Sequence, residues 1–177
     1  YRVFAFNNFY ASDYSNLSQV TTIAIVPTTF QLTVSFFDGW NMVSAPGLHP
    51  TNQNIETWWP NLIGDVFGFN GLQYVQEFVA TPGEGYWMKN VGIEIYNYPA
   101  IQMVPHLPIN AISGWNMIGG YETSVATANL ETSPPNQISG NIWEFNGVQY
   151  LPILTLEPGY GYWVKVLSDC DIFIPDA

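Results

Sequence analysis

Apolar and polar residues alternate along the chain in runs rarely longer than six, divided by clusters of Gly, Pro, Asn and Ser. That period of two, broken by turn formers, predicts strands rather than helices. Val66–Phe69 and residues 72–76 flank Asn70-Gly71, and Ile142–Phe145 and residues 148–151 flank Asn146-Gly147. Both read as hairpins closed by a two-residue type I′ turn, which needs positive φ at its central positions. After a Pro-Gly-x-Gly turn, Gly85-Tyr86-Trp87-Met88-Lys89 places Tyr86 and Met88 on one face and Trp87 and Lys89 on the other. Further along, Ile93 and Ile95 are expected to point inward, as are Cys170, Ile172 and Ile174. Helical signal is confined to one turn within 52–59 and another within 124–130, stopped by Pro60 and by Pro134-Pro135. The expected fold is all-β.

The same phrases occur twice. Gly39-Trp40-Asn41-Met42 returns as Gly114-Trp115-Asn116-Met117, and Phe69-Asn70-Gly71-Leu72-Gln73-Tyr74 returns as Phe145-Asn146-Gly147-Val148-Gln149-Tyr150. A third block, Pro82-Gly83-Glu84-Gly85-Tyr86-Trp87-Met88-Lys89, matches Pro158-Gly159-Tyr160-Gly161-Tyr162-Trp163-Val164-Lys165. Offsets of 75, 76 and 76 in one order indicate a duplicated β-module of about 70 residues, sandwich-like or barrel-like. The expected division is a hairpin at 1–27, with 27–30 as connector, a first module at 28–103 and a second at 104–177.

The first 25 residues pair two strand-like runs across an Asn/Ser/Asp cluster. Tyr1-Arg2-Val3, Ala5, Asn7, Ser12, Tyr14, Ser15, Asn16 and Thr21-Thr22 resemble the last two strands of a fibronectin type III domain. Two strands alone are marginal, so this hairpin is expected to complete a sheet elsewhere and to bury Val3, Ala5, Val20 and Ile23 against a neighbour. With no initiator Met and no signal peptide, the chain reads as a piece of a longer protein.

Charge narrows the partners. Three cations, Arg2, Lys89 and Lys165, face fourteen carboxylates, for a net charge of −11. No basic patch is available for a phosphate backbone, so nucleic acid is not expected, and no apolar run is long enough for membrane insertion. Charged residues are only 10% of the chain, leaving a surface of uncharged polar side chains suited to being covered. The lone Cys170 forms no internal disulfide, and flanking Asp169 and Asp171 raise its thiol's pKa, so it reads as a small buried side chain.

Candidate chemistry is sparse. Trp40 and Trp115 have two readings: platforms for sugar rings, or caps on a module core with Asn41 and Asn116 bonding to backbone at a strand start. The recurrence of the phrase within strands favours the second, and the same holds for Trp87 and Trp163. Trp58-Trp59-Pro60 has no counterpart in the repeat, which leaves Trp58 and Trp59 open between core burial and a partner or glycan contact. His49 and His106 sit in no metal-ligand spacing, the acidic tail Asp169, Asp171 and Asp176 lacks a calcium loop, and Glu84 and Glu157 are not kept between the repeats. No catalytic, metal or cofactor residues are therefore assigned, and the chain is read as a non-enzyme.

The Gly-Trp-Asn-Met and Pro-Gly-x-Gly-Tyr-Trp-x-Lys blocks, downstream of a fibronectin-like end, resemble tandem modules of large secreted bacterial surface proteins associated with type IX secretion. That resemblance implies an extracellular or cell-surface location. The leading expectation is a structural subunit that self-associates into a filament or packs on neighbouring domains. The rival is a glycan-binding, adhesive accessory module of a secreted multidomain protein, and a passive spacer is the third possibility.

Overall fold

The computed structural model describes residues 6–12 and 28–176. Val3, Ala5, Val20 and Ile23, and with them most of the expected N-terminal hairpin, lie outside the described residues; within that stretch Phe6 bridges Ala11.

The fold is all-β, as its alternating runs require. In the first half the strands are β1 (Thr29–Phe36), β2 (Gly39–Ser44), β3 (Val66–Phe69), β4 (Tyr74–Glu77), β5 (Gly85–Asn90) and β6 (Glu94–Gln102). A single helical turn, α1 (Ile55–Trp58), sits between β2 and β3. The second half contains β7 (Ile109–Ala111), β8 (Gly114–Gly119), β9 (Val125–Ala126), β10 (Glu131–Ser133), β11 (Ile142–Phe145), β12 (Tyr150–Ile153), β13 (Thr155–Leu156), β14 (Gly161–Val166) and β15 (Cys170–Phe173), with a 3-10 turn at Thr127–Asn129. Thr29 and Phe30, expected in a connector, already belong to β1, where they pair with Gln102 and Ile101.

Two antiparallel four-stranded sheets carry the repeated phrases, and their strand orders match: β2-β5-β3-β4 and β8-β14-β11-β12. Registers match as well, with Trp40 opposite Lys89 and Trp115 opposite Lys165. Tyr86 and Met88 turn to one face and enter a core with Val34, Phe36 and Ile101, while Tyr162 and Val164 enter a second core with Ile118 and Ile172. The opposite faces of both sheets meet in a third cluster of Met42, Trp87, Met117 and Trp163.

Asn41 shows why the repeated phrase is kept. Buried at the start of β2, its side-chain oxygen accepts from the Phe37 N–H at 2.8 Å and its amide donates to the carbonyls of Phe37 and Gly39 at 2.9 and 3.0 Å. Asn116 repeats all three bonds with Ile112 and Gly114. The preceding Gly39 and Gly114 sit at φ +87° and +106°, a region closed to most side chains.

Two expectations need correction. The Asn-Gly turns are four-residue connections, because Phe69 pairs with Tyr74 and Phe145 with Tyr150. Gly71 and Gly147 take the positive φ, while Asn70 and Asn146 accept from the backbone N–H groups two and three residues ahead, organising the loop by side-chain capping. The inward residues of β6 are also not Ile93 and Ile95, which are 76% and 61% exposed, but Tyr96, Tyr98 and Ile101. Large rings fill that core better, and their hydroxyls are satisfied there: Tyr98 donates to the Trp58 carbonyl and Tyr96 to Asn90 Oδ1. On β15, Cys170 and Ile172 point inward as expected, followed by Ile174.

A candidate aromatic binding site

Trp58 and Trp59 are not surface contacts. Both are fully buried, held on and just after α1, where Trp58 packs 5.1 Å from the Tyr98 ring and donates its Nε1 hydrogen to Gln53 Oε1 at 3.1 Å. Trp59 packs against Tyr86 at 6.1 Å. Their lack of a counterpart in the second half reflects a difference in core filling, since an aromatic pair next to Pro is as well suited to plugging a core as to meeting a partner.

Exposed aromatic surface lies instead where the two four-stranded sheets meet. Phe69 stands edge-on to Trp163 at 5.1 Å, and Phe145 stands edge-on to Trp87 at 5.3 Å. Each contact is the other with its halves exchanged, so the aromatic faces are related by an approximate internal two-fold. Backbone follows the same symmetry: the Ser44 N–H donates to the Gly159 carbonyl at 3.0 Å, and the Gly119 N–H donates to the Gly83 carbonyl at 2.8 Å. Gly85 and Gly161 are required at this approach, because a Cβ there would lie 2.6 Å from the Ile118 carbonyl oxygen and 2.7 Å from that of Val43. The tips of the hairpins cross over too, with Gly71 against Ile112 and Gly147 against Phe37.

Two hollows flank this junction. One, of about 440 Å³, is lined by Trp40, Phe67, Tyr74, Trp87, Phe145 and Tyr150. The other, of about 500 Å³, is lined by the equivalent set Trp115, Trp143, Tyr150, Trp163, Phe69 and Tyr74. Tyr74 and Tyr150 border both hollows, so the two open on either side of a shared tyrosine wall. Trp40 and Trp115 remain 43% and 42% exposed, against complete burial of Trp58 and Trp59, and therefore present open indole surface. Each stands edge-on to the buried Trp of the neighbouring strand, Trp40 to Trp87 at 6.4 Å and Trp115 to Trp163 at 6.2 Å, which orients it.

The symmetry is broken in the polar detail. The Trp163 indole faces the Tyr150 hydroxyl, whereas the buried Trp87 Nε1 has no hydrogen-bond partner among the described residues. Burial raises the Tyr150 hydroxyl above the ordinary tyrosine range, the Trp163 indole N–H counters it, and the neighbouring Tyr74 raises it further.

Elsewhere the titratable groups make structural contacts. His106 stacks on Tyr121 with ring centroids 3.9 Å apart, and its nitrogens lie 2.9 Å from Glu122 Oε2 and 3.1 Å from Asp176 Oδ1, tying the end of the chain to the second half. The Tyr121 hydroxyl, mainly through burial, is pushed up to about 12. Among the described residues no group of three or more His, Cys, Asp or Glu side chains is placed to hold a metal ion, and no helix is long and apolar enough to cross a membrane.

Trp40, Trp115, Trp87 and Trp163 were visible in the repeated phrases as structural motif residues, and the structure adds an exposed face to the first two. Phe67, Phe69, Tyr74, Trp143, Phe145 and Tyr150 stand out in the sequence only as members of hairpin strands. Their signal was the aromatic at every second position before each Asn-Gly, a spacing that puts both rings on one face. Comparison of the chain with protein-family models, curated proteins and solved structures finds no match.

Proposed function

We propose that this chain is a non-enzymatic extracellular binding module that lays a polysaccharide across its two aromatic hollows. One observation carries the reading: in a chain that buries Trp58 and Trp59 completely, Trp40 and Trp115 stay open at equivalent places, each beside a hollow of monosaccharide-to-disaccharide scale. Sugar rings have apolar C–H faces that stack on indole and phenol rings, and a platform held by strand packing loses little freedom on binding. The resemblance of the repeated blocks to modules of exported bacterial surface proteins supports the same setting. Isothermal titration and affinity electrophoresis against a polysaccharide panel test it. Trp40→Ala and Trp115→Ala are each expected to weaken binding by about tenfold or more with unchanged folding; panel-wide absence of binding, or indifference to both substitutions, overturns it.

A second reading, a structural subunit assembling into filaments, is favoured by the exposed Val91, Ile93 and Ile95, which form an apolar stretch where β5 turns into β6. Negative-stain imaging with a sizing column separates the two: regular fibres lost on Ile93→Lys and Ile95→Lys support assembly, and a monomer at high concentration removes it.

A further inference from the structure

Resting on the glycan-binding reading, we infer that the polysaccharide is acidic, with carboxylates placed on Lys89 and Lys165 beside Trp40 and Trp115. Strand alternation sorts the charges of the two four-stranded sheets by face. Lys89 pairs across the strands with Trp40, and Lys165 with Trp115, so each ammonium stands on the same face as the exposed indole of its half. The Lys165 ammonium lies 6.0 Å from the centre of the Trp115 ring. The carboxylates of these sheets, Glu77 and Glu144, lie on the opposite face: Glu77 pairs directly with Val66, and Glu144 stands two residues from Ile142 on β11. Val66 and Ile142 belong to the two outer cores, which fixes that face as the one turned away from the hollows.

A chain with fourteen carboxylates and three cations therefore puts two of those cations on the strands of its aromatic face and both strand carboxylates on the other, while Asp65, just before β3, is bonded to Gln76 at 2.8 Å. Among the described residues neither ammonium is paired with a carboxylate of the protein. The lysine also returns at the same place in both copies of Gly-Tyr-Trp-x-Lys, while the neighbouring Glu84 gives way to Tyr160. An uncharged chain would use the rings and leave both ammonium groups idle. A uronic-acid chain uses both, stacking its ring faces on Trp40 and Trp115 and setting carboxylates against the flanking lysines. The protein's negative field elsewhere repels such a polymer, confining it to this face.

The test uses polygalacturonate, alginate and hyaluronan, each beside its carboxyl-reduced neutral counterpart, titrated into the full chain at one fixed ionic strength. At least one acidic polymer is expected to bind about tenfold tighter than its reduced form, and Lys89→Gln and Lys165→Gln to cost about threefold each, with Lys→Arg restoring the preference. Equal affinity for acidic and reduced polymers, or a preference untouched in the double Lys→Gln variant, overturns the acidic assignment; the glycan reading then still stands on Trp40→Ala and Trp115→Ala. Failure of every polymer, acidic and neutral, overturns both.

Discussion

Phe69 meets Trp163 edge-on across the junction between the halves, ring centroids 5.1 Å apart at 77°. The pair joins the hairpin of one half to the central strand of the other, so its energy is spent on holding the halves together. Phe69→Ala is expected to cost about 3 kcal/mol through lost burial and the cavity left behind. In a double-mutant cycle with Trp163→Phe, a coupling of about 0.5–1.5 kcal/mol is expected beyond the area term. Urea unfolding followed by Trp fluorescence measures both; a coupling near zero would mean the two rings touch without depending on one another.

Asn41 and Asn116 each hold a turn by three hydrogen bonds to backbone. Replacement by Ala leaves part-buried N–H and C=O groups unpaired, at an expected cost of about 2 kcal/mol for either residue. Thermal or urea denaturation should rank both alike. Very unequal losses would show that the two turns are not energetically equivalent despite their matching geometry.

Glu77 gives a pH dependence with a definite sign. Burial first, then repulsion from Glu84, raises its carboxyl above the usual range. Because the folded state then holds this proton more tightly than the unfolded chain, the group favours folding while protonated, and that contribution is lost as pH rises through the raised pKa. Glu77→Gln should leave stability unchanged at acid pH and increase it at neutral pH. Denaturation midpoints at the two pH values decide it, and an unchanged midpoint at neutral pH would rule the effect out.

Cys170 should be slow to react. The residue is buried, and burial followed by Asp171 and Asp169 pushes its thiol up, so little thiolate is present near neutrality. A chromogenic disulfide reagent is expected to label it at a rate limited by opening of the native state, and rapidly once the chain is unfolded. Fast labelling of the native protein would show that β15 frays.

Much of the architecture was legible because strand period and repeat offset are local, countable properties. The all-β fold, the division of Tyr86 and Met88 from Trp87, and the inward Cys170, Ile172 and Ile174 follow from alternation alone. The misplaced Ile93 and Ile95 show where hydrophobicity misleads. Carrying the offset of 76 back from Ile172 and Ile174 lands on Tyr96 and Tyr98, two of the three buried residues of β6. A phenol whose hydroxyl finds a partner competes for a core position on equal terms with an isoleucine. Trp58 and Trp59, which the sequence leaves open between burial and contact, are buried: absence from a repeat says nothing about burial. The hollows were hidden because each takes lining residues from both halves, Phe145 beside Trp87 and Phe69 beside Trp163, and no pattern within one half encodes how the other docks on it.

The reciprocal approach of Gly85 to the Ile118 carbonyl and of Gly161 to that of Val43 makes the pair of halves resemble a two-fold dimer written on one chain. Had the halves been separate molecules, each hollow would exist only above the dissociation constant of the pair. The segment between β6 and β7 acts as a tether instead, holding the partner at an effective concentration of order millimolar. The aromatic hollows therefore persist at any dilution at which the chain itself is folded.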